Sequence, residues 1–326
     1  MGGFYDEAEK GPHEVFELGD LELEGGGMLP GARLLYKTHG TLSPARDNAI
    51  LYPHMYSGTP SSLESTIGPD RALGPDRYFI ICPGQLGNGF SSSPSNTPGP
   101  FPDMTIGDDV TAQRQLVTER LGIERLELVL GFSMGAQQAY EWAVRFPQMV
   151  GRLAAIAGTA KTTPHNALSV LVAEEALRAG GLELHARAWV PVGLSHELFR
   201  TEAWRDAGFT SVDDLVKRLF EDDFGSMDPE NLLCMCRKWR CADVSRFAGG
   251  DLAAALGRIT ARTLVIAFSH DLLFPVAACA AEQALIPRSE LRVIESPWGH
   301  YSWEMTEEAR RAHDAYLRDL LAETIS

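Results

Sequence analysis

One stretch constrains this chain more than any other: Leu128-Val129-Leu130-Gly131-Phe132-Ser133-Met134-Gly135-Ala136. A short apolar run enters it, and the spacing of Ala139, Tyr140, Trp142, Ala143 and Val144 leaves it as a helix. Between them lies Gly131-Phe132-Ser133-Met134-Gly135, a G-x-S-x-G turn from a buried strand into a helix. Such a turn strains its serine and lifts Oγ clear of the sheet, at a helix N-terminus that favours an oxyanion or alkoxide. The glycines follow from the same geometry, because so tight a turn leaves no room for a Cβ. A bare G-x-S-x-G is common by chance. The strand before it and the helix after it make Ser133 the candidate nucleophile.

The rest of the chain supplies a frame for that turn. Val15–Leu18 and Ala32–Thr38 read as strands joined through the Gly25-Gly26-Gly27 turn, an antiparallel start. Ala49–Tyr52 and the near-continuous apolar run Arg77–Cys82 follow. Runs of that kind suit parallel strands buried on both faces. The loop Pro83–Pro102 is long and rich in Gly, Ser, Asn and Pro, which marks it as functional. A helix over Asp109–Leu121 precedes the serine turn, and Leu153–Ala157 is the next buried strand. The alternation stops near Thr159 and resumes with strand Thr263–Ala267, helix Ala277–Leu285, strand Leu291–Ile294 and helix Thr306–Leu321. Alternation of this kind predicts a mostly parallel sheet with helices on both faces. Residues 1–160 and 250–326 form the expected core, and 161–249 a helical lid insertion, with helices over Ala167–Ala179, Val212–Phe220 and Asn231–Trp239.

A serine nucleophile needs a base and an acid, each on a loop after a later strand, in the chain order serine, acid, histidine. Asp271 follows the strand ending at Ala267, and His300 lies in the loop before the last helix. His300 would take the Ser133 proton and return it to the leaving group, while Asp271 fixes the imidazole tautomer. Glu295 and Asp251 are the rival acids, less well placed along the chain, and His270 reads as a bystander. The oxyanion hole needs two backbone N–H donors, for which Met134 and Tyr56 are the candidates. His54 reads as a support for that loop.

The net charge of −15 argues against nucleic-acid and anionic-membrane partners. No apolar run reaches the roughly 18 residues of a membrane span. The acidic N-terminal stretch Met1–Pro12 has no apolar leader core, so a cytoplasmic protein is expected. Cys234, Cys236 and Cys241 have poor spacing for a metal and read as buried thiols. No metal and no cofactor is expected.

Taken together these blocks resemble the homoserine O-acetyltransferase family of α/β-hydrolases, and specifically a shorter, hydrolase-type branch of it. Tyr36–Leu42 with Asn48–Leu51, His54-Met55-Tyr56-Ser57-Gly58, Gly131–Ala143, Asp271-Leu272-Leu273-Phe274-Pro275 and Gly299-His300 carry the likeness. The resemblance implies an eight-stranded α/β-hydrolase fold, the triad roles given above and dimerisation through the helical insertion. The chain departs from it in two places. Tyr301 stands where those acetyltransferases carry an Asp that holds the homoserine amine, and Gly84–Asn96 replaces their Gly-rich block. Tyr301, Leu86 and Gly87 are the candidate pocket residues. Ser91, Ser92 and Ser93 lack a nucleophile turn, and Arg200, Arg205, Arg237 and Arg240 read as solvated. The expected activity is hydrolysis of a small or medium ester through an acyl-Ser133 intermediate. The alternative is transfer of an acyl group from a CoA thioester to an alcohol or amine. A binding protein that keeps the pocket and loses the chemistry is disfavoured by the intact triad. Haloalkane dehalogenase or epoxide hydrolase chemistry is excluded, because those enzymes use an Asp at the turn.

Overall fold

The apolar runs pair into one eight-stranded sheet, seen in a computed structural model that describes residues 4–5 and 11–323. Met1–Pro12, the stretch relevant to a leader, lies largely outside the described residues. The strands are β1 (Glu14–Glu22), β2 (Met28–His39), β3 (Ala49–Leu51), β4 (Phe79–Pro83), β5 (Leu128–Phe132), β6 (Arg152–Ile156), β7 (Arg262–Phe268) and β8 (Ser289–Ile294). They lie in the order β1-β2-β4-β3-β5-β6-β7-β8. β2 runs antiparallel to β1 and β4, and every other neighbouring pair is parallel. The parallel strands therefore end on one side of the sheet, where such sheets place their chemistry.

Side chains alternate across each strand, so each apolar run feeds two cores. Leu128, Leu130, Ala154, Ile156, Leu264 and Ile266 face one side, packed with Leu317 and Leu320 of the last helix. Val129, Leu153, Ala155 and Val265 face the other, with Val110, Ala139 and Trp142. This double burial explains why the strands read as continuous apolar runs.

The helices are α1 (Ile106–Gln115), α2 (Met134–Arg145), α3 (Pro164–Gly193), α4 (Pro229–Arg240), α5 (Val276–Gln283) and α6 (Glu307–Ala322), with shorter turns between them. Their starts are chemically marked. The Thr105 hydroxyl accepts from the Asp108 amide while the Asp108 carboxylate accepts from the Thr105 amide, and the Thr163 and Thr306 hydroxyls cap α3 and α6. α3 is longer than the expected Ala167–Ala179. It continues past the glycine pair with a kink at Gly181, whose φ of 69° suits glycine.

Between β6 and β7 the chain is helical. It leaves and re-enters the core through a narrow neck, where Lys161 and Asp243 form an antiparallel bridge and an ion pair of 2.7 Å. From α5, the buried Glu282 carboxylate accepts the Ala160 and Lys161 amides and anchors this neck to the core.

Candidate active site

Ser133 sits at the corner between β5 and α2 with φ 57° and ψ −123°, a conformation that L-residues rarely adopt. Its surroundings enforce that strain. A Cβ on Gly131 would come within 2.1 Å of the Gly135 carbonyl, and one on Gly135 within 2.3 Å of the Pro53 carbonyl. Backbone cannot give way as a side chain can, so only glycine fits either position. The Ser133 amide donates to the Ile156 carbonyl at 2.9 Å, tying the corner to β6.

His300 arrives from the loop after β8, in the turn Gly299–Tyr301. Gly299, with φ 61°, packs where a Cβ would meet the Gly193 carbonyl at 2.9 Å. Asp271 arrives from the loop after β7. Its Oδ1 accepts the Leu273 and Phe274 amides at 2.8 and 2.9 Å. Its Oδ2 accepts Nδ1–H of His300 at 2.7 Å. With that proton fixed on Nδ1, Nε2 is the free base, and it accepts the Ser133 hydroxyl at 2.9 Å. Phe132 stacks on the imidazole at 4.8 Å and limits its rotation. This unbroken chain from carboxylate to hydroxyl can deliver a serine alkoxide to an acyl carbon.

Met134 opens α2, so its amide is among the first helical N–H groups, which have no intrahelical acceptor. Tyr56 lies in the loop after β3 and lines the same cavity. Its phenol is buried, 3.1 Å from both His185 Nε2 and Cys236 Sγ, and His185 Nε2 accepts Trp189 Nε1–H at 3.1 Å. His185 carries its proton on Nδ1, which donates to the Ala173 carbonyl at 2.8 Å and leaves the Nε2 lone pair as the acceptor, and burial depresses its basicity. The Tyr56 side chain thus fastens the loop after β3 to the helical segment.

The cavity above Ser133 and His300 has a volume of about 270 Å³. Trp189 and Trp239, stacked 5.3 Å apart, form one wall with Phe224 and Leu219. Tyr301 also lines it, packed on Phe220 at 5.1 Å. Leu86 and Gly87 do not belong to this lining. Leu86 is fully buried, and Gly87 packs where a Cβ would meet the Cys234 thiol at 2.4 Å, so both lie behind the loops that form the cavity. Sequence reasoning passed over the charged groups Arg218, Asp223 and Glu304. Glu304 was legible in principle, since a turn of helix after His300 brings it back to the cavity. Solvent in the cavity reaches it, but protein encloses it on the other sides. That enclosure, with Asp223 nearby, pushes its carboxyl up to about 7.

None of the rival acids pairs with His300, whose Nδ1 is held by Asp271. Asp251 caps the turn Leu252–Leu256, and Glu295 and His270 face solvent. His54 is buried, and burial lowers its pKa to about 4, leaving it neutral. Its Nδ1 contacts the Met55 carbonyl at 2.8 Å. Ser91 and Ser92 accept the Leu35 and Arg33 amides, stapling the loop after β4 to β2. Arg200, Arg205, Arg237 and Arg240 pair with Glu197, Glu202, Asp103 and Glu174. Cys234 and Cys236 are buried, whereas Cys241 is exposed, and no group of potential metal ligands occurs among the described residues.

Comparison with known proteins adds to this geometry. Residues 49–304 match the alpha/beta hydrolase fold family. The chain is 45% identical to an ethyl acetate hydrolase of Pseudomonas veronii over 345 aligned positions, covering 99% of each. It superimposes on the crystal structure of an acetylester hydrolase from Corynebacterium glutamicum with a TM-score of 0.96 at 44% identity, covering 99% of this chain and 100% of that one. A homoserine O-acetyltransferase of Thermobifida fusca is 32% identical, covering 86% of each chain.

Proposed function

This chain belongs to the alpha/beta hydrolase fold family, and we propose that it hydrolyses small neutral esters through an acyl-enzyme on Ser133. The observation that carries this reading is the Asp271–His300–Ser133 hydrogen-bond chain opening on a cavity of about 270 Å³. That volume is below the roughly 300–1,000 Å³ of pockets for drug-sized ligands. Two relatives named as hydrolases of acetyl esters, at 44–45% identity, support the same substrate class.

The chemistry follows from the contacts. Ser133 Oγ attacks the acyl carbon as His300 Nε2 takes its proton. The Met134 and Tyr56 amides stabilise the oxyanion. The tetrahedral intermediate collapses, the ester C–O bond breaks, and His300 protonates the departing alcohol. Water then attacks the acyl-enzyme with His300 again as base, and collapse of the second intermediate releases the acid and restores Ser133. Asp271 keeps the proton on Nδ1 throughout and stabilises the imidazolium. The helical segment 161–249 serves as the lid, supplying the tryptophan wall. Hydrolysis is favoured over transfer because the ethyl acetate hydrolase is 45% identical to this chain, whereas the acetyltransferase relative is the more distant one at 32%.

Leu168, Leu171 and Val172, on one side of α3, are 62%, 37% and 59% exposed and suit a dimer contact through the lid. The five cysteines are all free thiols, in keeping with the reducing cytoplasm as the working compartment. No described helix is long and apolar enough to cross a membrane.

The test is intact-protein mass spectrometry during turnover of p-nitrophenyl acetate. An acetyl adduct on wild-type protein that decays in water, and is absent from Ser133→Ala, is expected. An adduct from acetyl-CoA that persists until an alcohol is added would instead establish the transferase.

A further inference from the structure

The loop after β4 does not touch the cavity, yet it holds the loop that does. Gln85, fully buried, donates from Nε2 to the His54 carbonyl at 2.7 Å and the Met55 carbonyl at 3.2 Å. Asn88 donates from Nδ2 to the Gly58 carbonyl at 3.0 Å. These contacts bracket Tyr56, whose amide is one of the two oxyanion donors in the reading above. The loop is itself gripped from two directions. Asp109, on α1, accepts the Leu86 amide on Oδ1 at 2.8 Å. Lys238, in the last turn of α4, donates to the Leu86 carbonyl at 2.7 Å. Asp109 and Lys238 form an ion pair with each other, and neither side chain is exposed at all. The two charges thus hold both polar ends of one residue, next to the glutamine that supports the oxyanion loop.

A buried ion pair is costly to desolvate and is weak evidence of stabilisation for its own sake. Here burial already pushes the Asp109 carboxyl up to about 6, against the pull of Lys238. An apolar pair of the same volume would pack as well, but it could not grip a peptide group at both its N–H and its C=O. Nothing in the reaction uses either charge directly.

We propose that Lys238 and Asp109 are positioning residues for the oxyanion hole: they clamp Leu86, and through Gln85 they set where the Tyr56 amide stands relative to Ser133. The lid thereby contributes to transition-state stabilisation as well as to the cavity wall. The proposal rests on the serine-esterase reading, and the two can fail separately.

Lys238→Met alone strands a buried carboxylate, so the informative variants are Gln85→Met and the double variant Lys238→Met with Asp109→Asn. The double variant removes both charges, while the carboxamide oxygen introduced at position 109 still accepts the Leu86 amide. Each is compared with wild-type protein for ester kinetics, thermal melting and inhibition by a trifluoromethyl ketone, whose adduct with an active serine places an oxyanion in the hole. Loss of one oxyanion donor costs about a hundredfold to a thousandfold in kcat, so a displaced donor is expected to cost about tenfold or more. KM should stay within about twofold, and ketone binding should weaken by the same factor as kcat/KM. Folded variants that keep wild-type kcat, or that raise KM while the ketone binds as before, would overturn the proposal. A wild-type protein that the ketone does not inhibit would overturn the serine reading itself.

Discussion

Asp271→Asn isolates the role of tautomer control, because the surroundings decide which way the new amide must face. Oδ1 of Asp271 accepts two backbone amides, those of Leu273 and Phe274, while Oδ2 accepts His300 Nδ1–H. The substituted carboxamide has one acceptor oxygen. If it faces the two amides, its NH₂ group faces Nδ1, which must then become an acceptor. The imidazole proton moves to Nε2, and Ser133 meets a donor where it needs a base. If the carboxamide flips, the tautomer is correct but the Leu273 and Phe274 N–H groups lose their acceptor. Each buried donor left unpaired costs about 1–3 kcal/mol, so the productive flip lies about 2–6 kcal/mol above the other. At about 1.4 kcal/mol per factor of ten, the active fraction falls by about thirtyfold to about twenty-thousandfold. The assay is kcat/KM for p-nitrophenyl acetate alongside thermal melting. Melting should move little, because the favoured flip keeps both backbone bonds. A folded variant retaining more than about a tenth of wild-type kcat/KM would refute the reasoning and send the search for the acid elsewhere, with Glu295 first.

Gly131→Ala should abolish activity and lower the yield of folded protein, because its Cβ would lie 2.1 Å from the Gly135 carbonyl; circular dichroism and fluorophosphonate labelling would reveal a tolerant elbow if there is one. Glu304 should make stability depend on pH. Its folded-state pKa of about 7 is raised above the unfolded value of 4.5, so its contribution is complete below about 4.5 and is lost as pH rises through about 7. Chemical denaturation from pH 5 to pH 8 should show a shallower fall for Glu304→Gln than for wild-type protein, and an identical slope would contradict this. Leu168→Glu with Val172→Glu should yield monomers in sedimentation velocity, and a dimer unchanged by both substitutions would place the contact elsewhere.

Much of this fold was legible because its signals are local. Buried parallel strands need unbroken apolar runs, and a strand-to-helix corner needs glycines at fixed spacing around the serine. Residues 131–135 therefore specify their own geometry, and the order of Ser133, Asp271 and His300 along the chain follows the order of strands that carry them. The helical character of the segment between β6 and β7 was visible in the same way. Its partition was less so, because the glycine pair that reads as a break is accommodated as a kink at Gly181.

What the sequence alone could not decide depends on contacts between distant segments. Leu86 and Gly87 were expected at the pocket because their loop is long and polar, yet the loop turns inward and its polar groups bind backbone. Asp109 and Lys238 lie more than a hundred residues apart, and a lone Lys in the last turn of a helix reads as solvated until the fold buries it against a carboxylate. Glu304 and Trp239 likewise carry no local mark of facing one cavity. The residue types proposed to perform the chemistry were marked by backbone demands that any short segment expresses. The shape and charge of the cavity, and the contacts beneath the loop after β3, were decided only when the helices between β6 and β7 packed against the rest of the chain.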